Sequence, residues 1–600
     1  MKTNYSFSKI AIFIIFSIVL FTNFQAKKWD DSNGIINADV RAYYAYLPAL
    51  FIHHDLKFQH SEVYRKDKST VVWTFDTGNN SRYIKLTSGM AMIYSPFFLV
   101  AHQIAKSSDV EANGFTYPYK IALIISSLCF LLIALVFARK ILLQYFSEQV
   151  TIFVLFIVFL GTNIFHYYSG DPAMSHGYSV AVILIFIYSV MQWVKNPTLK
   201  WSFWIGITAG FFTLIRPTDI IYIFFFLLYG VNSFESLKNR FILFWKQKNL
   251  LMIILFSAFI VFVPQFIYFK YIFNEWLHFT YTGEPFFFLN PQLFNLSFSY
   301  RNGWLIYSPL MAFSILGFFY LKNIQPKVKW FVLIVFVIYY YVLSSWWCWW
   351  YSGFGNRAMI NLYPLLIFSL GAFINAVWKG KLAVKVTLII VVLFGVLLSI
   401  FQEYQYRHWG IHYDSMTSKA YWNSFGRTET SQLFKLYLEE PILESSIKGG
   451  TDVLQMKVDT IYGEFYSFEE GNTISLKNSS FLSSKEAIDG KNSLFINGDE
   501  YALNHKISIK NVNHIYISAW VKNSNGIHMS LKNDEDFYAL SHDIKENKKG
   551  WSKVQLLCEI PEKIESDSVQ FFVWNSERND YYFDELSIFG LFISKVKKHD

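Results

Sequence analysis

Three charged side chains lie close to long apolar runs, in places where they could take part in chemistry. Asp39 follows the first run, Lys85 precedes a re-entrant-like segment, and Arg216 lies between two runs with no loop to solvate it. A carboxylate in such a place can accept a proton, and fixed cations can stabilise a growing negative charge. Structural roles stay open as well: Asp39 as a helix cap, Lys85 as an interfacial cation, and Arg216 as the partner of Asp219.

Two further segments combine aromatic and polar residues. The segment SWWCWWYSGFGNR, residues 345–357, contains four tryptophans and ends in Arg357 after a glycine-rich turn. Aromatic faces can stack on a sugar ring, and an arginine can bind phosphate through two parallel hydrogen bonds. The segment HYYSGDPAMSH contains His166, Asp171 and His176, which could hold a hydroxyl or a metal, although the spacing fits no standard metal site. An aromatic belt at the membrane interface and a plain interfacial loop are the structural alternatives.

The composition indicates a membrane protein. Of the 600 residues, 53% are hydrophobic and only 16% are charged, whereas a soluble domain has about 25% charged residues. The hydrophobicity excludes a disordered chain, and three cysteines exclude a disulfide scaffold. No GxGxxG, P-loop, HExxH or CxxC pattern supports a nucleotide, zinc-protease or redox site. The net charge of +9 lies in short basic clusters between apolar runs, which is not the pattern of a nucleic-acid-binding surface.

Eleven apolar runs are long enough, within a few residues, to be transmembrane helices. They are residues 9–26, 118–138, 148–166, 177–194, 201–216, 218–232, 250–269, 304–321, 329–346, 358–377 and 384–401. The short loops on one side then hold fourteen Lys and Arg residues, against four on the other. The positive-inside rule places the N-terminus in the cytoplasm, with loop 27–117 and everything after residue 402 outside.

Two segments near the N-terminus need separate interpretation. A further span at 89–105 would invert the charge distribution, so we expect a re-entrant or interfacial helix on the outer side. The first run resembles a signal peptide with a weak cleavage site at Ala26, and we expect it to remain as an uncleaved anchor.

The C-terminal part is polar and has a different periodicity. Residues 402–460 are expected to be a connector, and from about residue 461 short alternating segments are separated by turn residues. This pattern predicts a β-sandwich over 461–600. The ending Tyr582–Ile588 resembles the last strand of jelly rolls of the carbohydrate-binding-module type. Sugar binding, a structural cap and a docking surface all remain open for this domain.

The N-terminal segments together resemble the GT-C superfamily of polytopic membrane glycosyltransferases, with the greatest similarity to bacterial relatives of the protein O-mannosyltransferases and the lipid A aminoarabinose transferases. The resemblance lies in Asp39, the segment Lys85–Gly89, the Arg-Pro-Thr turn at Arg216 and the Gly-x-Gly-x-Arg pattern ending at Arg357, and it covers about residues 9–401. Those two families commonly carry a paired acidic motif, whereas Val40 follows Asp39 here. The predicted fold class is an α-helical polytopic membrane domain, residues 1–401, followed by the all-β jelly-roll domain.

The resemblance implies a glycosyltransferase that uses a polyprenyl-phosphate sugar. An acceptor hydroxyl attacks the anomeric carbon, with Asp39 as general base, through an oxocarbenium-like transition state. The acceptor is a glycan, a lipid or a protein, no nucleic acid takes part, and a divalent metal ion is the one cofactor that stays open. Expected donor-phosphate ligands are Lys85, Arg216, Arg301 and Arg357; expected sugar or acceptor ligands are Tyr43, Tyr44, Asp171, His176, Trp349, Trp350 and Tyr351.

The abundance of Lys, Asn, Ile and Phe indicates an AT-rich bacterial genome, so we expect a bacterial inner membrane with a periplasmic active face. Two other functions fit parts of the pattern. A transporter or flippase of a lipid-linked or anionic solute would explain the spans and the arginines. However, transporters place their sites near mid-span and are often built from internal repeats, neither of which is visible here. A non-catalytic envelope scaffold that displays the β-domain is the third reading.

Overall fold

The computed structural model describes residues 6–30, 34–59, 74–77, 81–324, 328–469, 474, 480–498, 500–533, 538–540, 543–548, 550–561, 564 and 566–598. The chain forms two compact units. The first comprises residues 1–414 with 446–449, and the second comprises residues 415–445 with 450–600. The second unit therefore begins within the segment expected to be a connector.

In its described residues, the first unit is helical apart from one small hairpin and an isolated β-bridge between Phe286 and Trp346. Its strands are β1 (Phe75–Asp76) and β2 (Arg82–Tyr83). Its α-helices are α1 (Phe7–Ala26), α2 (Ala38–Phe51), α3 (Gly89–Lys106), α4 (Tyr117–Leu142), α5 (Glu148–Leu160), α6 (His166–Ser169), α7 (Ser175–Lys195), α8 (Leu199–Ile215), α9 (Ile223–Leu228), α10 (Phe234–Lys246), α11 (Lys248–Phe273), α12 (Leu293–Phe298), α13 (Trp304–Tyr307), α14 (Ala312–Gly317), α15 (Lys329–Ser344), α16 (Tyr363–Trp378) and α17 (Leu382–Arg407). Short 3₁₀ helices lie at Asn163–Phe165, Pro217–Tyr222, Pro309–Met311, Leu321–Asn323 and Arg357–Leu362.

The long apolar helices indicate a membrane protein. Within the described residues, six helices are long and apolar enough to cross a bilayer, and a seventh span results if the bent pair 148–160 and 163–169 counts as one. The six are Phe7–Ala26, Tyr117–Leu142, Ser175–Lys195, Lys248–Phe273, Arg357–Trp378 and Leu382–Arg407, and each coincides with an expected span. Three expected spans are shorter apolar helices, at Leu199–Ile215, Pro217–Leu228 and Lys329–Ser344. Eleven full spans are thus not confirmed.

The expected span 304–321 is broken into three short helices, α13, the 3₁₀ turn Pro309–Met311 and α14. Pro309 has no N–H to continue an α-helix, and Ser308 before it has an extended φ of −140°. A hydrogen bond also stabilises the break between the helices, because the Ser308 hydroxyl donates to Asn163 Oδ1 at 3.2 Å. Segment 89–105 forms the continuous helix α3 and is not among the candidate spans. Its interfacial placement stays a prediction.

Helices α8 and α11 pack through small residues. Gly206 and Gly210 are four positions apart on α8, and a Cβ atom at Gly210 would lie 2.8 Å from Val261 Cβ. A Cβ atom at Gly206 would overlap Ser257 and the carbonyl of Ile254. Such glycine pairs let two helix backbones approach closely, which is a main source of helix association in lipid.

The second unit consists mainly of antiparallel strands. They are β3 (Glu439–Pro441), β4 (Val453–Tyr466), β5 (Ser480–Ser483), β6 (Ser493–Ile496), β7 (Tyr501–Ser508), β8 (His514–Lys522), β9 (Ile527–Lys532), β10 (Tyr538–Leu540), β11 (Asp543–Lys548), β12 (Trp551–Glu559), β13 (Ser568–Asn575) and β14 (Tyr581–Lys598), with short helices at Ser418–Ser424, Gln432–Tyr437 and Leu443–Ile447. One sheet has the order β10-β9-β13-β7, and the other has the order β11-β12-β8-β14-β4-β3 with β6 also paired to β14. Buried residues of both sheets, such as Phe571 and Phe583, share one apolar core. The β-rich domain is confirmed, and its jelly-roll connection stays a prediction.

We expect Gly206→Leu to destabilise the first unit. The added side chain has to displace the α11 backbone, and overpacking of this kind costs about 1–3 kcal/mol or more. The melting temperature of the purified protein in detergent should fall. The control Phe203→Leu, on an exposed position of the same helix, should change it little. Equal melting temperatures for Gly206→Leu and wild type would contradict close α8–α11 packing.

Candidate active site

An ion pair joins the start of α2 to the start of the 3₁₀ helix Arg357–Leu362. Arg357 Nη1 donates to Asp39 Oδ2 at 2.7 Å, and the two side chains are 17% and 29% exposed. Asp39 lies in the first turn of α2, where the helix dipole favours a negative charge. Asn37, not Asp39, is the N-cap residue of this helix. The carboxylate is therefore left to face Arg357.

A glycine-rich turn positions Arg357 next to Asp39. Gly353 and Gly355 have φ values of +149° and +60°, which favour glycine, and Tyr351 adopts a φ of +43° at the cost of some strain. The turn is fixed by Tyr167, whose hydroxyl accepts from the Phe354 N–H at 3.0 Å. The Gly-x-Gly-x-Arg pattern thus allows the tight backbone turn that directs the Arg357 side chain towards Asp39.

Arg216 and His176 lie together at adjoining helix ends. Helix α7 begins at Ser175 and α8 ends at Ile215, so the chain reversal brings Arg216 Nη1 to 3.3 Å from His176 Nε2. His176 Nδ1 lies 3.4 Å from Asn361 Oδ1. A neutral imidazole that donates from Nδ1 and accepts at Nε2 satisfies both contacts. Among the described residues, the buried Nε of Arg216 has no hydrogen-bond partner, so it is a donor available for a bound anion.

Asp219 is not the ion-pair partner of Arg216 in the described part of the chain. Its two carboxylate oxygens accept from the Tyr339 hydroxyl at 2.5 Å and from Asn361 Nδ2 at 2.7 Å. The 3₁₀ turn Pro217–Tyr222 directs Asp219 into the helix bundle instead. The structural alternative for Arg216 therefore fails, while its charge remains close enough to be felt by Asp219.

Lys85 forms an ion pair with Glu284, a residue that our sequence analysis missed. Trp347 Nε1 also donates to Glu284 Oε2 at 3.3 Å, and the Lys85 ammonium lies 5.0 Å from the centre of the Tyr281 ring. Burial lowers the pKa of Lys85, and the negative charge of Asp39 opposes this shift. Lys85 and Asp39 are therefore close enough to interact electrostatically. Glu284 is the only carboxylate between residues 276 and 300, and that isolation was the available signal.

Backbone contacts hold the Lys85 segment and the Glu284 loop in place. Gly89 packs against the end of α8, where an added Cβ would lie 3.0 Å from the Ile215 nitrogen, next to Arg216. The Tyr46 hydroxyl of α2 donates to the carbonyl of Leu86 at 2.7 Å. The loop carrying Glu284 contacts the tryptophan segment, by which we mean residues 345–357. The Trp347 N–H donates to the Pro285 carbonyl at 3.2 Å.

Three tyrosines face the charged group. Burial raises the pKa of Tyr281, and Tyr43, Arg216, Asp39 and Arg357 act on it as nearby charges. Burial also raises the pKa of Tyr43, as does the charge of Asp39. Tyr351 is half-buried, and the charges of Arg216 and Arg357 oppose the rise in its pKa that burial causes. The described group therefore contains Asp39, Tyr43, Lys85, His176, Arg216, Tyr281, Glu284, Tyr351 and Arg357. We call it the charged cluster.

Five expected ligands make other contacts. The Tyr44 hydroxyl donates to the Gly114 carbonyl, and Asp171 pairs with Lys28 at 3.0 Å. Arg301 lies over the ring of Trp350 at 5.7 Å, and the Trp349 and Trp350 rings form an edge-to-face pair. The roles of these five side chains as ligands stay predictions.

The charges of the charged cluster favour an anion. Lys85, Arg216 and Arg357 exceed the carboxylates of Asp39 and Glu284 by one formal charge when His176 is neutral. Within the described residues, no three His, Cys, Asp or Glu side chains are grouped so that they could hold a metal ion. Since both carboxylates are already paired with cations, the donor set does not fit a divalent metal.

The comparisons with known proteins add little. No protein-family model and no curated protein matches this sequence. Among solved structures, the chain is similar to the cryo-EM structure of the arabinosyltransferase EmbB from Mycobacterium smegmatis, with a TM-score of 0.28 and 10% identity over 90% of this chain and 67% of that one. At this score, a proposal of function has to rest on the side chains themselves.

We expect Gly355→Ala to destabilise the turn that holds Arg357. A Cβ atom there would lie 2.9 Å from Tyr307 Cβ, and a left-handed conformation costs a non-glycine residue about 1–2 kcal/mol. Gly283→Ala is the matched control, because Gly283 has a φ of +80° but open space around its Cβ position. Thermal unfolding should therefore shift more for Gly355→Ala. Equal shifts would show that Tyr307 gives way without cost.

Proposed function

We propose that this protein is an integral-membrane glycosyltransferase that moves a sugar from a polyprenyl-phosphate donor to an acceptor hydroxyl. The observation that carries this proposal is the charged cluster, in which two carboxylates, three cations, one histidine and three tyrosines meet at helix ends and in the adjoining loops. In this proposal the charged cluster lies at the periplasmic face of a bacterial inner membrane, as the loop charges predict.

The cations suit the leaving phosphate. Arg216 brings a buried N–H without a described partner, and Arg357 uses one nitrogen for Asp39 while its guanidinium has further N–H groups. Breaking the anomeric bond puts negative charge on the lipid phosphate. Cations that are already fixed in a half-buried site stabilise that charge without reorganisation.

Asp39 is the proposed general base. Its carboxylate is held by Arg357 and is 29% exposed, so an acceptor hydroxyl can reach it. As the hydroxyl oxygen attacks the anomeric carbon, its proton passes to Asp39, and the bonding pair of the anomeric C–O bond leaves with the phosphate. Glu284 is a second carboxylate of the charged cluster, and its pairing with Lys85 and Trp347 suits a positioning role.

The location of the charged cluster favours this function over a transporter. Asp39 lies at the start of α2, Arg216 directly after α8, and Arg357 at the start of a 3₁₀ helix that leads into α16. Transporter sites lie near the middle of the bilayer, at breaks inside helices. A group built from helix ends is suited to a substrate with its head at the surface and its tail in the lipid.

Asp39→Asn should abolish transfer. Loss of a general base costs about 10²–10⁴ in rate, while the amide keeps the size of the carboxylate. The assay gives purified protein a panel of radiolabelled polyprenyl-phosphate sugars and an envelope extract. The exposed Asp109→Asn is the control and should keep wild-type transfer. Near-normal transfer by folded Asp39→Asn would overturn the base assignment. No transfer by folded wild type with any donor would favour a flippase, which proteoliposomes can test.

Arg216→Ala should lower kcat/KM by about 10²–10³, by analogy with lost oxyanion donors. Arg216→Lys should recover only part of this, because an ammonium cannot replace the planar guanidinium. The control Lys200→Ala removes an exposed cation from the opposite end of α8 and should have no effect. If Arg216→Ala leaves kcat/KM unchanged, Arg216 does not hold the phosphate.

A further inference from the structure

A second polar site lies beside the charged cluster. A cavity of about 840 Å³ is bounded by the end of α1, the end of α17 and the loop that follows α17. Asn37 is one of its lining residues, and so are Lys28, His166, Asp171 and Arg407, which we call its floor. Cavities of about 300–1,000 Å³ are typical of small-molecule sites.

The floor is a chain of alternating charges. Lys28 pairs with Asp171 at 3.0 Å, Asp171 with His166 at 3.1 Å, and His166 with Glu403 at 3.5 Å. Arg407 ends the chain, 2.8 Å from Glu403. His166 and Glu403 are only 1% exposed, whereas Lys28, Asp171 and Arg407 are about one-fifth exposed and border the cavity.

This charge balance selects for a neutral polar ligand. Each cation of the floor already faces a carboxylate, so a phosphate would have to displace one. The exposed ammonium, carboxylate and guanidinium can still donate to or accept from hydroxyl groups. A fatty acyl chain would leave these groups without water, which is costly.

The walls are aromatic. Trp409 is 67% exposed and Tyr413 is 43% exposed, and both line the cavity with Tyr404 and Tyr406. Tyr404 is stacked on His408 with 4.0 Å between ring centroids, which holds its ring in place. The C–H groups on the face of a sugar ring carry a partial positive charge and pack on the negative face of an aromatic ring. Aromatic walls above a floor of hydrogen-bonding groups are the chemistry that recognises a saccharide.

The cavity leads towards Asp39. Asn37 is the N-cap of α2, two residues before the carboxylate of the charged cluster. Tyr167 separates the two sites, since its ring lies 5.1 Å from both the His166 and the His176 rings. A ligand in the cavity is therefore adjacent to the segment that carries Asp39, with Tyr167 between the ligand and the charged cluster.

We propose that this cavity binds a neutral saccharide, as the acceptor of the transfer reaction proposed above. That the saccharide is the acceptor rests on the proposed function. That the cavity binds a saccharide is argued from the cavity residues alone. Binding and transfer are therefore measured separately.

The binding experiment uses the purified full-length protein in detergent with maltotriose, mannotriose and arabinotriose as probes, followed by isothermal titration calorimetry. At least one probe should bind to wild type. Trp409→Ala and Tyr404→Ala should each weaken that binding by about tenfold or more. Trp245→Ala, which removes a tryptophan that is 79% exposed and far from the cavity lining, should not.

Three outcomes would overturn the saccharide site. One is that none of the probes binds to wild type, and another is that both cavity variants bind the probe like wild type. The third is competition by inorganic phosphate, which would show an anion site instead. If a probe binds as expected but no donor supports transfer, the saccharide site is supported and the proposed function is contradicted. Where transfer is observed, Trp409→Ala should raise the KM for the acceptor and leave kcat and the donor KM unchanged.

Discussion

The ion pair between Asp39 and Arg357 is the contact on which the candidate active site depends. It joins residues 318 positions apart, one at the start of α2 and the other at the end of the tryptophan segment. A half-buried charge that loses its partner keeps its desolvation cost without compensation. Helix α2 and the turn around Gly355 must therefore be placed together, and the remaining groups of the charged cluster are arranged around them.

A polar network behind this pair keeps the cationic side chains in position. Asn361 contacts His176 with its oxygen and Asp219 with its nitrogen, and its own carbonyl accepts from Tyr222. His176 in turn contacts Arg216. In an apolar bundle such a network has few alternative arrangements, because each unsatisfied polar group is expensive. The 3₁₀ helix that begins at Arg357 is thus anchored on the side opposite to the ion pair.

The local sequence pattern was enough to predict the helices and the β-rich domain. It was not enough to predict which charged side chains contact each other. Most long apolar runs become helices, and α11 continues through Pro264. Pro309 lies where the run 304–321 breaks, but the proline-free run 148–166 is bent as well, so proline alone does not decide where a run breaks. Asp39, Arg216 and Arg357 were recognisable because charge beside an apolar run is costly. Glu284 was not, since its partner Lys85 is remote in sequence and the loop between α11 and α12 has no periodicity. The sequence left the pairing of Arg216 with Asp219 open, because sequence proximity does not show which way a 3₁₀ turn directs a side chain.

The single excess positive charge of the charged cluster has a consequence for turnover. A sugar phosphodiester of the proposed class carries one negative charge, whereas the phosphate monoester that leaves carries about −1.5 to −2 at pH 7. The electrostatics that help the anomeric bond to break therefore hold the spent lipid more tightly than the fresh donor. If the proposed reaction is the right one, we expect inhibition by its own product and a steady-state rate that depends on how quickly the surrounding membrane removes the lipid phosphate.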